Sequence, residues 1–473
     1  MQSKRDQVQA YFFVVSRLVS AVVTGKPDVL DSPYKRLNTG TVFGVLVAGI
    51  LMAVFGIYGI FAPGGNDSWK QNGSIVMDES SGTRYAYLGG ELRPVLNYAS
   101  ARLATGDASG GVVHSVSRKS LGDTPVGQAI GIVGAPDALP AADKLSSGPW
   151  TTCVQAAPST SAGALPVVTV LLGQAPGRKV ADGEALLVSL PDGQIHLVWQ
   201  GRRHLVAGRD FLEALGYGDT RPMAVTAAWL NPIEQGPDIS MPSTEGAGRP
   251  GPVIEGRPRT IGQVLRVRNP AVDSDQLYLL RQDGVVPLSR TAAALVLAAP
   301  GTRQAYPDGV VAPVDVGPVA LRGIPVPDDV DYLNGLPPQP PKIVSAPRDN
   351  YACVRYELRA GGTDGETEFL PASVVDGSAV PVGEHEAGAV ADRVAVLPGG
   401  GALVRNQPAP GAQGQALSLI SENGVRYPIA DADTLTALGF REDLAVPTPP
   451  SLLGLLPAGP VLSRAAALRT WSP

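Results

Sequence analysis

Two cysteines, Cys153 and Cys353, carry the clearest covalent chemistry in this sequence. Each sits in a similar short string, Trp150-Thr-Thr-Cys153-Val-Gln and Tyr351-Ala-Cys353-Val-Arg-Tyr. In an oxidising compartment an even count reads as one disulfide, with two buried free thiols as the alternative. Closing a loop of roughly 200 residues would stabilise the fold by roughly 5 kcal/mol in the chain-entropy model. No metal site is expected, because His114, His196, His204 and His385 sit near no cysteine and share no ligand spacing.

Other reactive combinations lack a partner. No GxxxxGK(S/T) phosphate loop is present. The Gly-rich pieces Pro398-Gly-Gly-Gly401 and Ser109-Gly-Gly111 lack the following Lys and read as turns. No GxSxG nucleophile elbow occurs. Ser115 and Lys119 do not have the spacing of an SxxK helix, and a solvated turn explains them better. Asp328, Asp329 and Asp331 offer oxygens for calcium, but the loop of ligands is incomplete. His114, His196 and His204 fall in or beside strands and read as surface or strand-face residues. The sequence therefore predicts no catalytic, cofactor-binding or metal residue. Net charge is −5 with no basic stripe beyond Lys35-Arg36, which argues against nucleic acid.

The element that organises the chain is the uncharged run Val42 to Phe61. As a helix it spans roughly 30 Å, the hydrocarbon thickness of a bilayer. A core helix of this length would show a polar face, and a signal peptide would start nearer the N-terminus. Lys4, Arg5, Arg17, Lys26, Lys35 and Arg36 precede the run, whereas Lys70 follows it among Asp67, Asp78 and Glu79. The positive-inside bias therefore predicts residues 1–41 in the cytoplasm and 62–473 outside. Gly44, Gly49, Gly56 and Gly59 would let one face approach a partner helix.

Before the span, Val8, Tyr11, Phe12, Val15, Leu18, Val19 and Val22 follow the 3-4 spacing of an amphipathic helix that Gly25 and Pro27 would end. Its broad apolar face is expected to lie on the inner leaflet or dock into a cytoplasmic partner. Pro27 to Asn38, with Pro33, reads as a linker.

Beyond the span, 56 Gly and 44 Pro among 473 residues argue against long helices, and an apolar fraction of 44% suffices for a core. One pattern returns four times, near 75–105, 185–218, 275–300 and 415–440: two short apolar runs about a Gly turn, then a small-residue helix. Gly82, Gly193, Gly284 and Gly424 mark the turns, at intervals too irregular for a strict solenoid. Thr291 and Asp433 are expected N-caps, and Gly216 and Gly439 C-caps. Apolar segments around 150–175 and 350–405, including Val394 to Leu397 and Ala402 to Val404, read as a central β module stapled by the cysteines. The expected fold is one transmembrane helix followed by a large, β-rich α+β domain outside the membrane. Four pseudo-repeat ββα units would flank its central module in an elongated or distorted-propeller-like arrangement. In the tail, 445–473, Leu452 to Leu456 with Val461 and Leu462 should pack on this core or on another subunit.

Particular strings resemble a known family. Arg5-Asp-Gln-Val-Gln-Ala-Tyr11, the Arg17-Leu-Val-Ser-Ala-Val22 stretch and the single span are similar to EccB, the membrane-anchored core component of type VII (ESX) secretion systems. So are Arg84-Tyr-Ala-Tyr-Leu88, Leu92-Arg-Pro-Val-Leu-Asn-Tyr-Ala-Ser-Ala-Arg-Leu103, Gly131-Ile-Val-Gly-Ala-Pro-Asp-Ala-Leu-Pro140 and the paired cysteines. The resemblance covers the whole chain. It implies a structural role in a large inner-membrane complex for protein export. The implied partners are a motor ATPase of the FtsK/SpoIIIE type, a polytopic pore protein, a further membrane component and a subtilisin-like membrane protease. Self-association outside the membrane is also implied. Family members sometimes carry an ATPase label, which the missing phosphate loop puts in doubt for this chain. A cell-wall (peptidoglycan) binding module and a nucleotide-hydrolysing enzyme are the alternative readings.

Overall fold

Ser3 starts the first helix by a capping box. Its side chain accepts from the Arg5 N–H at 3.2 Å, and Asp6 accepts from the Ser3 N–H at 3.2 Å. This helix, α1 (Lys4–Thr24), ends where Gly25 adopts φ 70° and donates to the Ala21 carbonyl, the stop its sequence predicts. The second, α2 (Pro33–Phe61), begins before the apolar run. Pro33 opens it, since a first-turn residue needs no N–H partner. Residues 33–38 are thus helix instead of linker. The computed structural model describes residues 3–25, 33–61, 67–106, 111–156, 164–241, 244–269, 274–327, 335–383, 388–409, 411–412, 414 and 416–471. The aspartates 328, 329 and 331, His385, residues 26–32 and Ser109 lie outside them.

The rest of the chain forms six sheets among the described residues, none of them closed. The first contains Ser74–Asp78, Arg84–Leu88, Glu91–Pro94 and, after α3 (Tyr98–Thr105), Val113–Val116. Its spatial order is third, second, first, fourth, and the fourth strand runs parallel to the first. A parallel return needs a crossover, which α3 supplies.

Three later stretches adopt the same order. They are Glu184–Ser189, Ile195–Trp199, Arg202–Leu205, helix Arg209–Ala214 and Met223–Ala224; Val264–Asn269, Ser274–Arg281, Gly284–Leu288, helix Arg290–Ala298 and Val314–Val316; and Ala402–Asn406, Leu417–Ile420, Arg426–Ile429, helix Ala432–Ala437 and Val446–Thr448. We number these units one to four. Each has three strands before its helix and one after it, where the sequence suggested two strands and a helix. The turns marked in the sequence are not equivalent: Gly82 and Gly193 join first to second strands, whereas Gly284 and Gly424 join second to third. Caps also shift by two residues. Ser289 accepts from the Ala292 N–H at 3.0 Å and Asp431 from the Thr434 N–H at 2.7 Å, replacing Thr291 and Asp433. Gly216 and Gly439 follow their helices in the left-handed region.

A seven-stranded sheet occupies the middle, in the order Val380–Pro381, Arg393–Ala395, Val167–Leu172, Trp150–Gln155, Asn350–Arg359, Gly362–Pro371, Arg178–Lys179. Ala402 to Val404, expected here, belong to unit four instead. One face of this sheet packs Trp150, Val168, Val170 and Val354 against unit two, Trp229, and the tail leucines Leu452, Leu453, Leu455 and Leu456. Leu452 to Leu456 thus pack back on this core, whereas Leu462 is buried against units one and four and Val461 is exposed. Units two and three share a second core, and units one and four a third.

Candidate functional site

Cys153 and Cys353 stand directly opposite each other on adjacent antiparallel strands, with Cα atoms 4.0 Å apart, and are joined as a disulfide. Both are buried beside Leu171, Leu370, Val375 and Ala395, on the face covered by the short helix Ala372–Ser378. The bond joins two neighbouring strands of the central sheet. On the next strand Glu368 faces Cys353. Its Oε2 accepts from the Gly177 N–H at 2.7 Å, and burial raises its pKa above the ordinary carboxylate value. Nearby, Tyr351 donates to Asp376 at 2.8 Å; burial first, then that carboxylate, pushes the phenol up to about 12.

The expected docking face lies on α1. Val8, Tyr11, Phe12, Leu18 and Val22 are exposed, Val22 by 83%, while Val15 and Val19 are half-buried. Phe13 and Val14 are exposed too, so the apolar surface wraps further round the helix than the 3-4 pattern suggests. Arg17 lies over the Phe13 ring at 5.6 Å. In α2, Asn38–Ile57 is the one stretch among the described residues long and apolar enough to cross a membrane. Its residues from Val42 to Ile57 are all exposed, and Phe61 ends the helix.

Three of the strings that carry the family resemblance, 84–88, 92–103 and 131–140, meet at unit one. Asn97 caps α3 by accepting from the Ser100 N–H at 2.9 Å, while its Nδ2 donates to the Ile132 carbonyl at 2.8 Å. The Ile132 N–H in turn donates to Ser100 Oγ at 2.8 Å. Both polar groups of one buried peptide residue are therefore held by one helix start. Asp137 accepts from the Tyr98 N–H at 2.9 Å and pairs with Arg84. The C-terminus adds the last layer, since Trp471 donates to the Ala129 carbonyl at 2.8 Å and Thr470 bridges Ile130.

Arg102 joins this knot to unit four. It is only 6% exposed, and its Nε donates to the carbonyl of Ala437, the last residue of the unit-four helix, at 3.2 Å. A cation at a helix C-terminus meets the negative end of the dipole. Arg102 also lies over the Tyr98 ring at 5.9 Å. Sequence reasoning noticed Arg102 only as part of a string; nothing local announces a partner at position 437.

The three described histidines lie on strands, as expected, but two of them are not at the surface. His114 is half-buried on its strand, but His196 and His204 are buried. His204 Nδ1 lies 2.8 Å from the Pro237 carbonyl, and an added Cβ at Gly236 would overlap its ring. Burial, the larger influence, lowers both pKa values below the ordinary imidazole range. Ser115 donates to Glu79 at 3.1 Å and forms no Ser-Lys pair among the described residues. No group of three or more His, Cys, Asp or Glu side chains among them could hold a metal.

A family profile described as "Type VII secretion system ESX-1, transport TM domain B" matches residues 1–471. The ESX-3 secretion system ATPase EccB3 of Mycolicibacterium smegmatis is 29% identical, over 98% of this chain and 90% of its own. The ESX-2 secretion system ATPase EccB2 of Mycobacterium tuberculosis is 31% identical over 98% and 94%. Among solved structures, an intact ESX-5 inner membrane complex contains a chain with TM-score 0.69 and 25% identity, covering 100% of this chain and 96% of that one. An EccB3 dimer from the ESX-3 core complex has TM-score 0.68 and 25% identity, covering 84% and 100%.

Proposed function

The chain belongs to the EccB family of type VII (ESX) secretion components, and on that premise we propose that it is a structural assembly component of an ESX-type inner membrane complex. The observation that carries this reading is the match over the whole chain, from α1 through the apolar helix to the last residues, with a component of such a complex. In this reading α2 is the single membrane anchor, residues 1–41 face the cytoplasm, and the sheets stand on the periplasmic side and self-associate. The exposed ring of Val8, Tyr11, Phe12, Leu18 and Val22 on α1 docks a cytoplasmic partner, for which the motor ATPase is the first candidate. The polytopic pore protein, the further membrane component and the protease complete the set. The four units are read as copies of one module flanking the central sheet, and their common strand order supports this.

Native gels of detergent-solubilised membranes test the proposal. The full chain should migrate in a very large complex, and a chain lacking residues 1–41 should run free of the motor ATPase. Small species in both cases would refute it. The relatives' printed names favour a second reading, nucleotide hydrolysis. Reproducible ATP turnover by the purified chain, abolished by one point substitution, would establish it.

A further inference from the structure

Between the central hairpin and units two and four lies an open cleft of about 540 Å³. Its walls come from three places distant in sequence: Arg203 on the third strand of unit two with Gln235 beside it, Asp364 on the central hairpin of Asn350–Arg359 and Gly362–Pro371, and Gln407 and Ser451 flanking unit four. Three charged side chains line it, and two are already matched. Glu234 pairs with Arg202 at 3.2 Å and Asp364 with Arg359 at 3.0 Å. Arg203 has no carboxylate partner among the described residues. Its Nε donates to the Ile233 carbonyl at 3.0 Å, which fixes the plane of the guanidinium. Its two terminal nitrogens make no hydrogen bond there.

The rest of the wall is neutral and rich in amides and hydroxyls: Asn231, Gln235, Gln407 and Ser451. Gln407 is itself fixed, because its Nε2 donates to the Ala360 carbonyl at 2.5 Å and its backbone N–H to the Thr448 carbonyl at 3.0 Å. A planar guanidinium with both terminal nitrogens free suits one carboxylate held in bidentate fashion. A polyphosphate would call for more than one cation, and this wall offers one. Neutral amides suit peptide N–H and C=O groups, and the volume lies within the range of small-ligand sites.

We propose that this cleft binds the free C-terminal carboxylate of a short peptide, with Arg203 as its anion clamp. This goes beyond an assembly role and does not depend on it. The test uses the full chain in lipid nanodiscs, titrated calorimetrically with acetyl-Ala-Ala-Ala as the free acid and as the C-terminal amide. The acid should bind about tenfold or more tightly than the amide, the equivalent of about 1.4 kcal/mol. Arg203→Gln should remove that preference, and Arg203→Lys should retain part of it, since charge survives and the fork does not. Equal binding of acid and amide would overturn the proposal. So would no binding of either at millimolar concentration, or an undiminished acid preference in Arg203→Gln. If Arg203→Gln fails to fold, the acid and amide comparison on the unaltered chain decides alone.

Discussion

Asn97→Ala removes two interactions with different consequences. The first is the N-cap to the Ser100 N–H at 2.9 Å, typically worth about 1 kcal/mol. The second is the bond from Nδ2 to the Ile132 carbonyl at 2.8 Å, made in a buried setting. Losing it leaves an acceptor without a partner, which costs about 1–3 kcal/mol. Together the substitution should weaken the local structure by about 2–4 kcal/mol. Global unfolding of a chain with several cores does not isolate this one segment, because two-state behaviour is not expected. Hydrogen exchange followed by mass spectrometry reads the segment itself. A local loss of about 2 kcal/mol should speed exchange in residues 130–135 by about 30-fold while the central sheet keeps its rate. Ser100→Ala removes the acceptor of the Ile132 N–H and should do the same more weakly. Because both side chains hold one residue, the double variant should fall short of the sum by at least about 0.5 kcal/mol. Unchanged exchange in 130–135, or strict additivity, would refute the idea of a two-sided clamp.

Replacing Cys153 and Cys353 by Ser should cost about 2–5 kcal/mol, seen as a lower melting temperature with the sheet retained by circular dichroism. Gly201→Ala should be far worse than Gly193→Ala although both have positive φ: an added Cβ at 201 overlaps the Gly365 carbonyl, whereas 193 faces open space. Strain alone at 193 should cost roughly 1–2 kcal/mol, and 201 should exceed that enough to expose the adjoining strands to protease. Acidification should weaken the fold through His196 and His204. Their folded pKa values lie below the ordinary 6.5, so the unfolded chain takes up protons first and stability falls as pH drops through about 6.5. The loss levels off below the folded values. A melting temperature that does not fall between pH 7.5 and 5 would contradict this, and His204→Gln should flatten the curve in part.

Local signals account for what was legible in the sequence. Gly25 stops α1, the uncharged run gives α2, and the Gly turns at 193, 284 and 424 mark real hairpins. The leading strands Ser74–Asp78 and Val264–Asn269 and the returning strands, such as the two-residue Met223–Ala224, escaped notice. They are short or separated from their partners by loops, and a returning parallel strand has no turn to announce it. The cap shift from Thr291 to Ser289 has a similar cause, since either residue type can cap and only the start of the helix decides. The burial of His204 was not legible because it depends on the covering strap at Gly236 and Pro237, over 30 positions away. The Arg203 cleft assembles from three distant segments, and no window of sequence contains it.

The shared core of units one and four also constrains the order of folding. Leu103 and Ile130 near the start are buried against Leu419, Leu435 and Leu462 near the end. During synthesis the earliest unit must wait, with part of its apolar surface uncovered, until the final residues have emerged. Such long-range closure is slow, and surface left uncovered meanwhile invites aggregation. A premature stop after residue 456 would therefore do its first damage some 350 positions upstream, in the unit that directly follows the apolar helix.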